Sequence, residues 1–176
     1  MGSRAVGKST ITVRYVEHQF VEEYSPTIEN TYTKLLRVGN TEYELEIVDT
    51  SGQDEFSIFQ TQYAIGIHAY VLVYSVNSEH SFEMVKIVND KILNATGADQ
   101  VPRVLVGNKC DLERERTVSY DEGRALAAQW GCAFVECSAK LDKHVDDVFT
   151  LCLDEVARDA LGGAAGAPPP AAIGGG

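Results

Sequence analysis

A chain of 176 residues, 44% of them hydrophobic, is long enough to bury one substantial core and too short for two comfortable domains. Its 15 basic and 26 acidic residues give a formal net charge of −11, which argues against a general nucleic-acid binder and against attraction to an anionic membrane surface. The sequence contains neither a signal-peptide pattern nor an apolar run of about 18 residues, and none of its four cysteines lies in a CxxC pair. We therefore expect a cytoplasmic protein with reduced thiols.

The predicted strands fall into two groups. Two early strands, at about residues 32–38 and 42–49, are joined by a turn at Gly39-Asn40, and the second alternates apolar with acidic side chains. That alternation indicates an antiparallel pair that is covered on one face. Three unbroken apolar runs, typical of parallel strands buried on both faces, follow at residues 69–74, 104–106 and 133–135.

Helices are predicted between these strands. Apolar residues recur at helical spacing over residues 81–93, and Ser119-x-x-Glu122 is a capping box that opens a helix reaching Trp130. The buried stripe of a last helix is predicted to consist of Val145, Val148, Phe149, Cys152 and Val156. Strands that alternate with helices predict an α/β fold, in which a mostly parallel sheet is flanked by helices on both faces.

The residues GSRAVGKS at positions 2–9 match the phosphate-binding pattern GxxxxGK[ST]. Such a loop points successive backbone N–H groups at an anion, and the dipole of the following helix adds to the attraction. Lys8 is predicted to reach the β- and γ-phosphates, and Ser9 to offer its hydroxyl to Mg²⁺. A Gly-rich turn before an ordinary helix is the alternative, and the pattern alone does not choose between ATP and GTP.

The residues NKCD at positions 108–111 distinguish between ATP and GTP. They follow the apolar run at residues 104–106, at the carboxyl end of a strand, where α/β sheets bind ligands. The Asp111 carboxylate can accept from guanine N1–H and from the N2 amine, whereas adenine would leave it unpaired. Asn108 can bond the purine edge, and the stem of Lys109 can cover the ring. A turn-forming Asn and a solvated Asp would explain the motif in isolation, but the phosphate loop in the same chain favours a guanine site.

The residues DTSGQ at positions 49–53 follow the second predicted strand. Asp49 is placed to hold a water on Mg²⁺, Gly52 to donate its N–H to a γ-phosphate, and Gln53 to orient an attacking water. A strand that ends in an ordinary turn is the alternative interpretation of this segment.

Two shorter segments complete the set. Thr27, directly after Pro26, would be the second hydroxyl on Mg²⁺. Ser138-Ala139-Lys140 follows the last predicted strand, where the N–H of Ala139 can reach guanine O6. Neither segment would indicate a nucleotide site by itself, and each is assigned to the site only because the other motifs are present in the same chain.

This ordered set of motifs resembles the Ras family of small GTPases over residues 2–159. Within that family the chain is most similar to the Rheb branch. The residues that carry the closer resemblance are Arg4, PTIENTYTK at 26–34, DEFSIF at 54–59 and YVLVYSV at 70–76. The resemblance implies a P-loop NTPase fold and a GTPase that holds GTP or GDP with Mg²⁺ and acts as a molecular switch.

The resemblance also implies roles that spacing alone does not. Phe20 matches an aromatic residue packed edge-on against guanine, and Tyr24 matches a tyrosine that closes over the phosphates. Residues 24–32 match the first switch, which engages effectors, and Gly52 to Tyr63 match the second; the γ-phosphate orders both segments and hydrolysis releases them. The implied partners are an effector, which on the Rheb branch is a TOR-type kinase in growth signalling, together with GTPase-activating and exchange proteins.

The predicted site therefore has three sets of residues. Catalysis is assigned to Lys8, Gly52 and Gln53. The metal is assigned to Ser9, Thr27 and Asp49. Contacts to the nucleotide are assigned to Arg4, Ala5, Val6, Gly7, Lys8, Ser9, Thr10, Phe20, Tyr24, Thr27, Gly52, Asn108, Lys109, Asp111, Ser138, Ala139 and Lys140.

Three departures from the family pattern matter. The apolar strand that should run into the phosphate loop, in the centre of the sheet, is absent, so residues 1–160 are interpreted as an N-terminally truncated GTPase domain. Arg4-Ala5 stands where most relatives have two glycines, and is expected to crowd Gln53 and slow hydrolysis. The family's lipid-bearing C-terminal cysteine motif is missing, and residues 161–176 are interpreted as a disordered Gly/Ala/Pro tail, so a membrane anchor is expected only in a lipidated longer form.

Two alternative functions stay open at this point. Arg4 and Ser51 could spoil the site, which would leave a nucleotide-regulated binding module with little hydrolysis. The chain could also be a truncated, non-functional copy. A metabolic ATP-dependent kinase is disfavoured because Asp111 selects against adenine.

Overall fold

Strands and helices alternate along the chain, as the sequence predicts. The computed structural model describes residues 1–22 and 26–162. Its elements are α1 (Lys8–Glu17), β1 (Glu29–Val38), β2 (Thr41–Thr50), β3 (Tyr70–Ser75), α2 (Glu79–Thr96), β4 (Arg103–Asn108), α3 (Tyr120–Trp130), β5 (Ala133–Glu136) and α4 (Val145–Ala160), with single 3₁₀ turns at Thr61–Tyr63 and Glu113–Glu115. Tyr24 lies outside the described residues, as does the predicted tail beyond Gly162.

The strands form the two groups that the sequence predicts. β1 and β2 are antiparallel, and they are joined by the predicted turn, where Gly39 adopts a φ of +60°. β3, β4 and β5 form a parallel sheet in that order. β1 begins at Glu29, earlier than predicted, because Glu29 pairs with Thr50 at the far end of β2. The polar residues 29–31 carry no apolar alternation that would have marked them as strand.

The phosphate loop begins on a short bridge to the parallel sheet. Gly2 forms an isolated parallel bridge with Val73 of β3, whose N–H donates to the Met1 carbonyl at 2.9 Å. On the other side, the N–H of Gln53 donates to the Gly2 carbonyl at 2.8 Å. Among residues 1–22 and 26–162, β1 and β2 form one sheet and β3, β4 and β5 form another. Residues 1–2 therefore tie the loop both to the sheet and to the segment after β2.

Two hydrophobic clusters cover opposite faces of the parallel sheet, as alternation along its strands requires. One cluster combines Val73 and Val104 with side chains of α1 and α4. The other combines Leu72 and Leu105 with side chains of α2 and α3. This arrangement confirms the prediction of helices on both faces.

The helix ends follow local capping chemistry. The predicted capping box of α3 is present, with both Ser119 and Glu122 bonding reciprocally. α2 begins at Glu79, two residues earlier than predicted, because the hydroxyl of Ser78 accepts from the N–H of Ser81. None of the described helices is both long enough and apolar enough to cross a bilayer.

The last helix departs from its predicted stripe. Val145, Val148 and Phe149 are buried, but Cys152 and Val156 are only half-buried. Glu155 is buried in addition, since its carboxylate accepts the N–H of Ala133 at 2.7 Å and also contacts Arg158. An apolar pattern cannot reveal this position, because a buried carboxylate depends on partners that are distant in sequence.

Candidate nucleotide-binding site

A pocket of about 340 Å³ opens where the phosphate loop meets the loops that follow β4 and β5. The predicted residues that line it are Arg4, Ala5, Gly7, Lys8, Ser9, Thr10, Phe20, Thr27, Gly52, Asn108, Lys109, Asp111, Ala139 and Lys140. Four further residues line it that the sequence did not single out: Val21, Glu22, Thr50 and Leu112. The fold thus brings together side chains that are more than 100 positions apart in the sequence.

The phosphate loop ends at the start of α1. Gly7 has a φ of +96°, and a Cβ at that position would lie 2.2 Å from the Asn108 side-chain nitrogen. Only glycine fits there, because both the conformation and the space exclude a side chain. The ammonium group of Lys8 donates to the Ser3 carbonyl at 2.6 Å. Burial lowers the pKa of Lys8 to about 8, although the nearby Asp49 carboxylate acts in the opposite direction.

Three oxygen-bearing side chains converge beside Lys8. The Ser9 hydroxyl lies 2.6 Å from the Thr27 hydroxyl and donates to the Asp49 carboxylate at 2.6 Å. Two hydroxyls and one carboxylate are hard oxygen donors of the kind that Mg²⁺ prefers, so the donor set fits that ion. The buried hydroxyl of Thr50, next to Asp49 in sequence, has no hydrogen-bond partner within the described structure.

Asn108 connects three segments at the other end of the pocket. Its side-chain nitrogen donates to the Val6 carbonyl at 2.8 Å, and its side-chain oxygen accepts the N–H of Ala139 at 3.4 Å. Val6 and Ser138, which were predicted to contact the nucleotide, lie outside the pocket lining and support it from behind. Ser138 donates its hydroxyl to Oδ1 of Asp111 at 2.6 Å and so orients that carboxylate.

Lys109 and Arg14 add links between the same segments. The ammonium group of Lys109 donates to the Ala5 carbonyl at 2.8 Å. Arg14 of α1 donates to the Ala139 carbonyl at 2.8 Å, and its guanidinium lies 5.6 Å from the ring centre of Phe20. Sequence reasoning missed Arg14, because a basic residue in the last turn of a helix is ordinarily explained by the helix dipole.

Gln53 and Arg4 occupy the side of the site where the γ-phosphate is expected. Gln53 is buried and donates its side-chain N–H to the Ser51 carbonyl at 3.2 Å, and it does not line the pocket. Arg4 lies against Gly52, since a Cβ at Gly52 would stand 2.2 Å from Cγ and 2.8 Å from Cα of Arg4. Arg4 therefore packs closely against Gly52, the residue before Gln53. The expected crowding of Gln53 stays a prediction.

A parallel sheet lies between helices, and the phosphate loop at residues 2–9 meets the loop at residues 108–111 at one pocket. These features define a P-loop NTPase of the small GTPase kind. The Ras family model matches residues 1–158, and the chain belongs to that family. It is 57% identical over 162 residues to the GTP-binding protein Rheb homolog of Dictyostelium discoideum. The aligned residues make up 92% of this chain and 88% of that protein.

Two further relatives agree with this assignment. GTP-binding protein rhb1 of Schizosaccharomyces pombe is 54% identical over 160 residues, or 91% of this chain and 86% of that protein. GTP-binding protein Rheb of Homo sapiens is 54% identical over 149 residues, or 85% of this chain and 81% of that protein. The predicted resemblance to the Rheb branch is confirmed, and the chain is a small GTPase, a member of a family of GTP-hydrolysing enzymes.

Proposed function

We propose that this chain is a molecular switch that binds GTP or GDP with Mg²⁺ in the pocket and hydrolyses GTP to GDP and phosphate. The observation that carries the proposal is the 2.8 Å bond from Asn108 to the Val6 carbonyl, which ties the loop at residues 108–111 to the phosphate loop at residues 2–9. Because the two loops are joined, one ligand that carries both a purine and phosphates can engage both at once.

At the phosphate end, the chain supplies positive charge and N–H donors. The ammonium group of Lys8 is held over the loop by the Ser3 carbonyl, from which it can turn to phosphate oxygens. Ser9 and Thr27 would hold Mg²⁺, with Asp49 holding a water on it, and the ion would neutralise negative charge on the phosphate oxygens. Catalysis by such a site consists of positioning and charge stabilisation rather than covalent chemistry.

At the base end, Asp111 is the group that would select guanine. Ser138 holds one of its carboxylate oxygens, so the carboxylate faces the pocket in a fixed orientation. Guanine offers N1–H and N2–H donors to such a group, and adenine offers no matching pair. Phe20 and the stem of Lys109 line the same end and can cover the faces of the purine.

The purified chain tests this proposal directly. Titration with fluorescent GDP and ADP in the presence of Mg²⁺ should give binding of GDP at least about 10³-fold tighter than of ADP, because a site built on a buried polar partner rejects ligands that cannot pair with it. Guanine nucleotide should also be carried through purification. Equal affinity for the two nucleotides would refute the proposal, and absence of any nucleotide binding would favour the non-functional copy.

Hydrolysis is proposed to be slow without a partner. Gln53 must leave the Ser51 carbonyl before it can orient a water, and Arg4 occupies the space against Gly52 beside that path. In single-turnover GTP hydrolysis, Arg4→Gly should be faster than the parent chain. If the variant is no faster, the crowding argument fails, and a nucleotide-regulated binding module with little hydrolysis becomes the better description.

Partners are proposed to bind at the switch segments. Ile28, Phe56 and Ile58 expose 89%, 85% and 87% of their surface, which suits a contact with another protein. The proposed partners are GTPase-activating and exchange proteins and, through residues 24–32, a TOR-type kinase, as the Rheb resemblance suggests. The four free cysteines suit a reducing compartment, and we propose the cytoplasm.

We also propose that a further strand belongs between β2 and β3. Leu45 and Ile47 of β2 and Val71 of β3 pack against the same core cluster but are only half-buried, and a further strand would cover them. A form extended before Met1 by six Val- or Ile-rich residues should melt higher and bind GDP more tightly, whereas an unchanged melting temperature would refute this strand.

A further inference from the structure

Lys91, on α2, holds the segment that follows Gln53 by an unusual set of contacts. Its ammonium group donates to three backbone carbonyls, those of Asp54 at 3.0 Å, Glu55 at 3.2 Å and Ser57 at 2.7 Å. A lysine ammonium carries three N–H donors, and here all three carbonyls come from one turn of chain. Within the described part of the chain, Lys91 forms no ion pair with a carboxylate.

The turn is shaped so that its carbonyls face Lys91. The Asp54 carboxylate accepts the N–H of Phe56 at 3.0 Å and the hydroxyl of Ser57 at 2.9 Å. The N–H of Ser57 also donates to the Asp54 carbonyl at 3.2 Å. These bonds hold the pKa of Asp54 below its usual range, with the hydroxyl of Ser57 as the largest cause. The turn therefore presents a concave set of oxygens, which a compact cation fits.

Gln53 lies between this turn and a second attachment. On its amino side, the N–H of Gln53 donates to the Gly2 carbonyl at the start of the phosphate loop. On its carboxyl side, the next residue is already held by Lys91. Most other side chains of this segment are exposed, so few apolar contacts fix its backbone. The backbone around Gln53 is thus held by a polar attachment on each side.

We infer that Lys91 is a positioning residue for GTP hydrolysis: its ammonium group fixes the turn at residues 54–57 and thereby places Gln53 beside the phosphate loop. This inference rests on the proposed function for its effect on the reaction. It assigns Lys91 no contact with the nucleotide. Loss of the charge should loosen the turn, so that the backbone of Gln53 is less often in the position from which its side chain can turn from the Ser51 carbonyl toward the pocket. The grip on GDP should stay intact.

The test compares Lys91→Gln with Lys86→Gln. Lys86 lies on the same helix, where it pairs with Glu83 at an exposed site and does not touch the turn. Hydrogen exchange of the amides at 53–57 should accelerate about tenfold or more in Lys91→Gln, because charge-assisted bonds to the carbonyls are lost, and should not change in Lys86→Gln. Single-turnover GTP hydrolysis should slow about fivefold in Lys91→Gln, with GDP affinity within about twofold of the parent.

A second variant separates positioning from general stability. Lys91→Arg keeps the charge, but the planar guanidinium group does not match three convergent carbonyls. The rates of GTP hydrolysis and of hydrogen exchange should therefore lie between those of the parent and those of Lys91→Gln. Unchanged exchange at 53–57, unchanged hydrolysis, or an equal loss of hydrolysis and GDP affinity in Lys91→Gln would each overturn the inference. If the parent itself does not prefer guanine nucleotides, the proposed function fails instead, and the exchange measurement still decides whether Lys91 holds the turn.

Discussion

The end of the pocket around Asn108 and the segment at residues 54–58 are built in opposite ways. Asn108 is 2% exposed and bonds to the Val6 carbonyl and the Ala139 N–H, so three segments share one buried side chain. In the segment at residues 54–58, Phe56 and Ile58 are almost fully exposed, and polar contacts such as those of Lys91 hold the backbone. Under the proposed function, the first region would read the base, and we expect it to be the rigid end of the site. The second would respond to the phosphate, and we expect it to be the exposed, loosely attached end.

The largest expected effect is on the rigid end. Asp111→Ala should weaken GDP binding by about 10³-fold, because the N1–H and N2–H donors of guanine would lose the carboxylate that accepts from them. Isothermal titration of the variant against GDP measures this loss. Asp111→Asn is the matched control for chemistry: it should bind xanthosine diphosphate better than GDP, since xanthine carries a carbonyl where guanine carries the N2 amine. A less than tenfold loss for Asp111→Ala would show that the base is read elsewhere.

A stability measurement sharpens the same contrast. Asn108→Ala should lower the free energy of unfolding by about 1–3 kcal/mol, because the Val6 carbonyl would remain buried without its donor. Urea denaturation in the absence of nucleotide measures this change. Ser57→Ala, in the loosely attached segment, should cost less than about 0.5 kcal/mol. Equal costs for the two variants would contradict the difference in construction between the two regions.

The pH dependence of binding tests the charge at the phosphate end. Lys8 has a pKa of about 8 in the free protein, and bound phosphates would raise it, so nucleotide affinity should be nearly full at about pH 7 and should fall as the pH rises through about 8. Between pH 7 and pH 9 the protonated fraction, and with it GDP affinity, should fall about tenfold. In Lys8→Arg, which stays charged, any remaining slope belongs to the nucleotide. Identical slopes in the two proteins would exclude Lys8 as the titrating group.

The smallest effect is expected at the exposed end. Phe56→Ser should change the free energy of unfolding by less than about 0.5 kcal/mol, because its ring already faces solvent. GDP affinity should likewise not change. Binding of a GTPase-activating protein, measured as stimulated hydrolysis, should nevertheless fall, since the exposed ring is proposed to meet a partner. A large loss of stability would mean that Phe56 packs against its own chain.

Prediction from sequence worked best where one short motif carries its own geometry. The fixed spacing between Gly2 and Lys8 predicts a phosphate loop, and this loop lines the pocket. Ser119 and Glu122 predict the start of a capped helix, which is confirmed at that boundary. The hairpin turn at Gly39 is confirmed for the same reason. These features depend on neighbours within a few residues, which the sequence displays directly.

What sequence reasoning missed depends on residues that are far apart. Arg14 meets the Ala139 carbonyl across 125 positions, and Lys91 meets the turn at residues 54–57 from 34 to 37 positions away. Glu155 can be buried because its carboxylate accepts a hydrogen bond from the N–H of Ala133. In each case the side chain is of an ordinary surface type, and its role is created by the fold that brings its partner near.

The bond between Asn108 and the Val6 carbonyl has a consequence for how a ligand enters and leaves. Under the proposed function, the phosphate loop and the loop at residues 108–111 would bind the two ends of one nucleotide, so a nucleoside alone or pyrophosphate alone should bind far more weakly than the two linked covalently. A partner protein that separated the phosphate loop from Asn108 would weaken both contacts at once, and would speed release of the nucleotide without contacting the base.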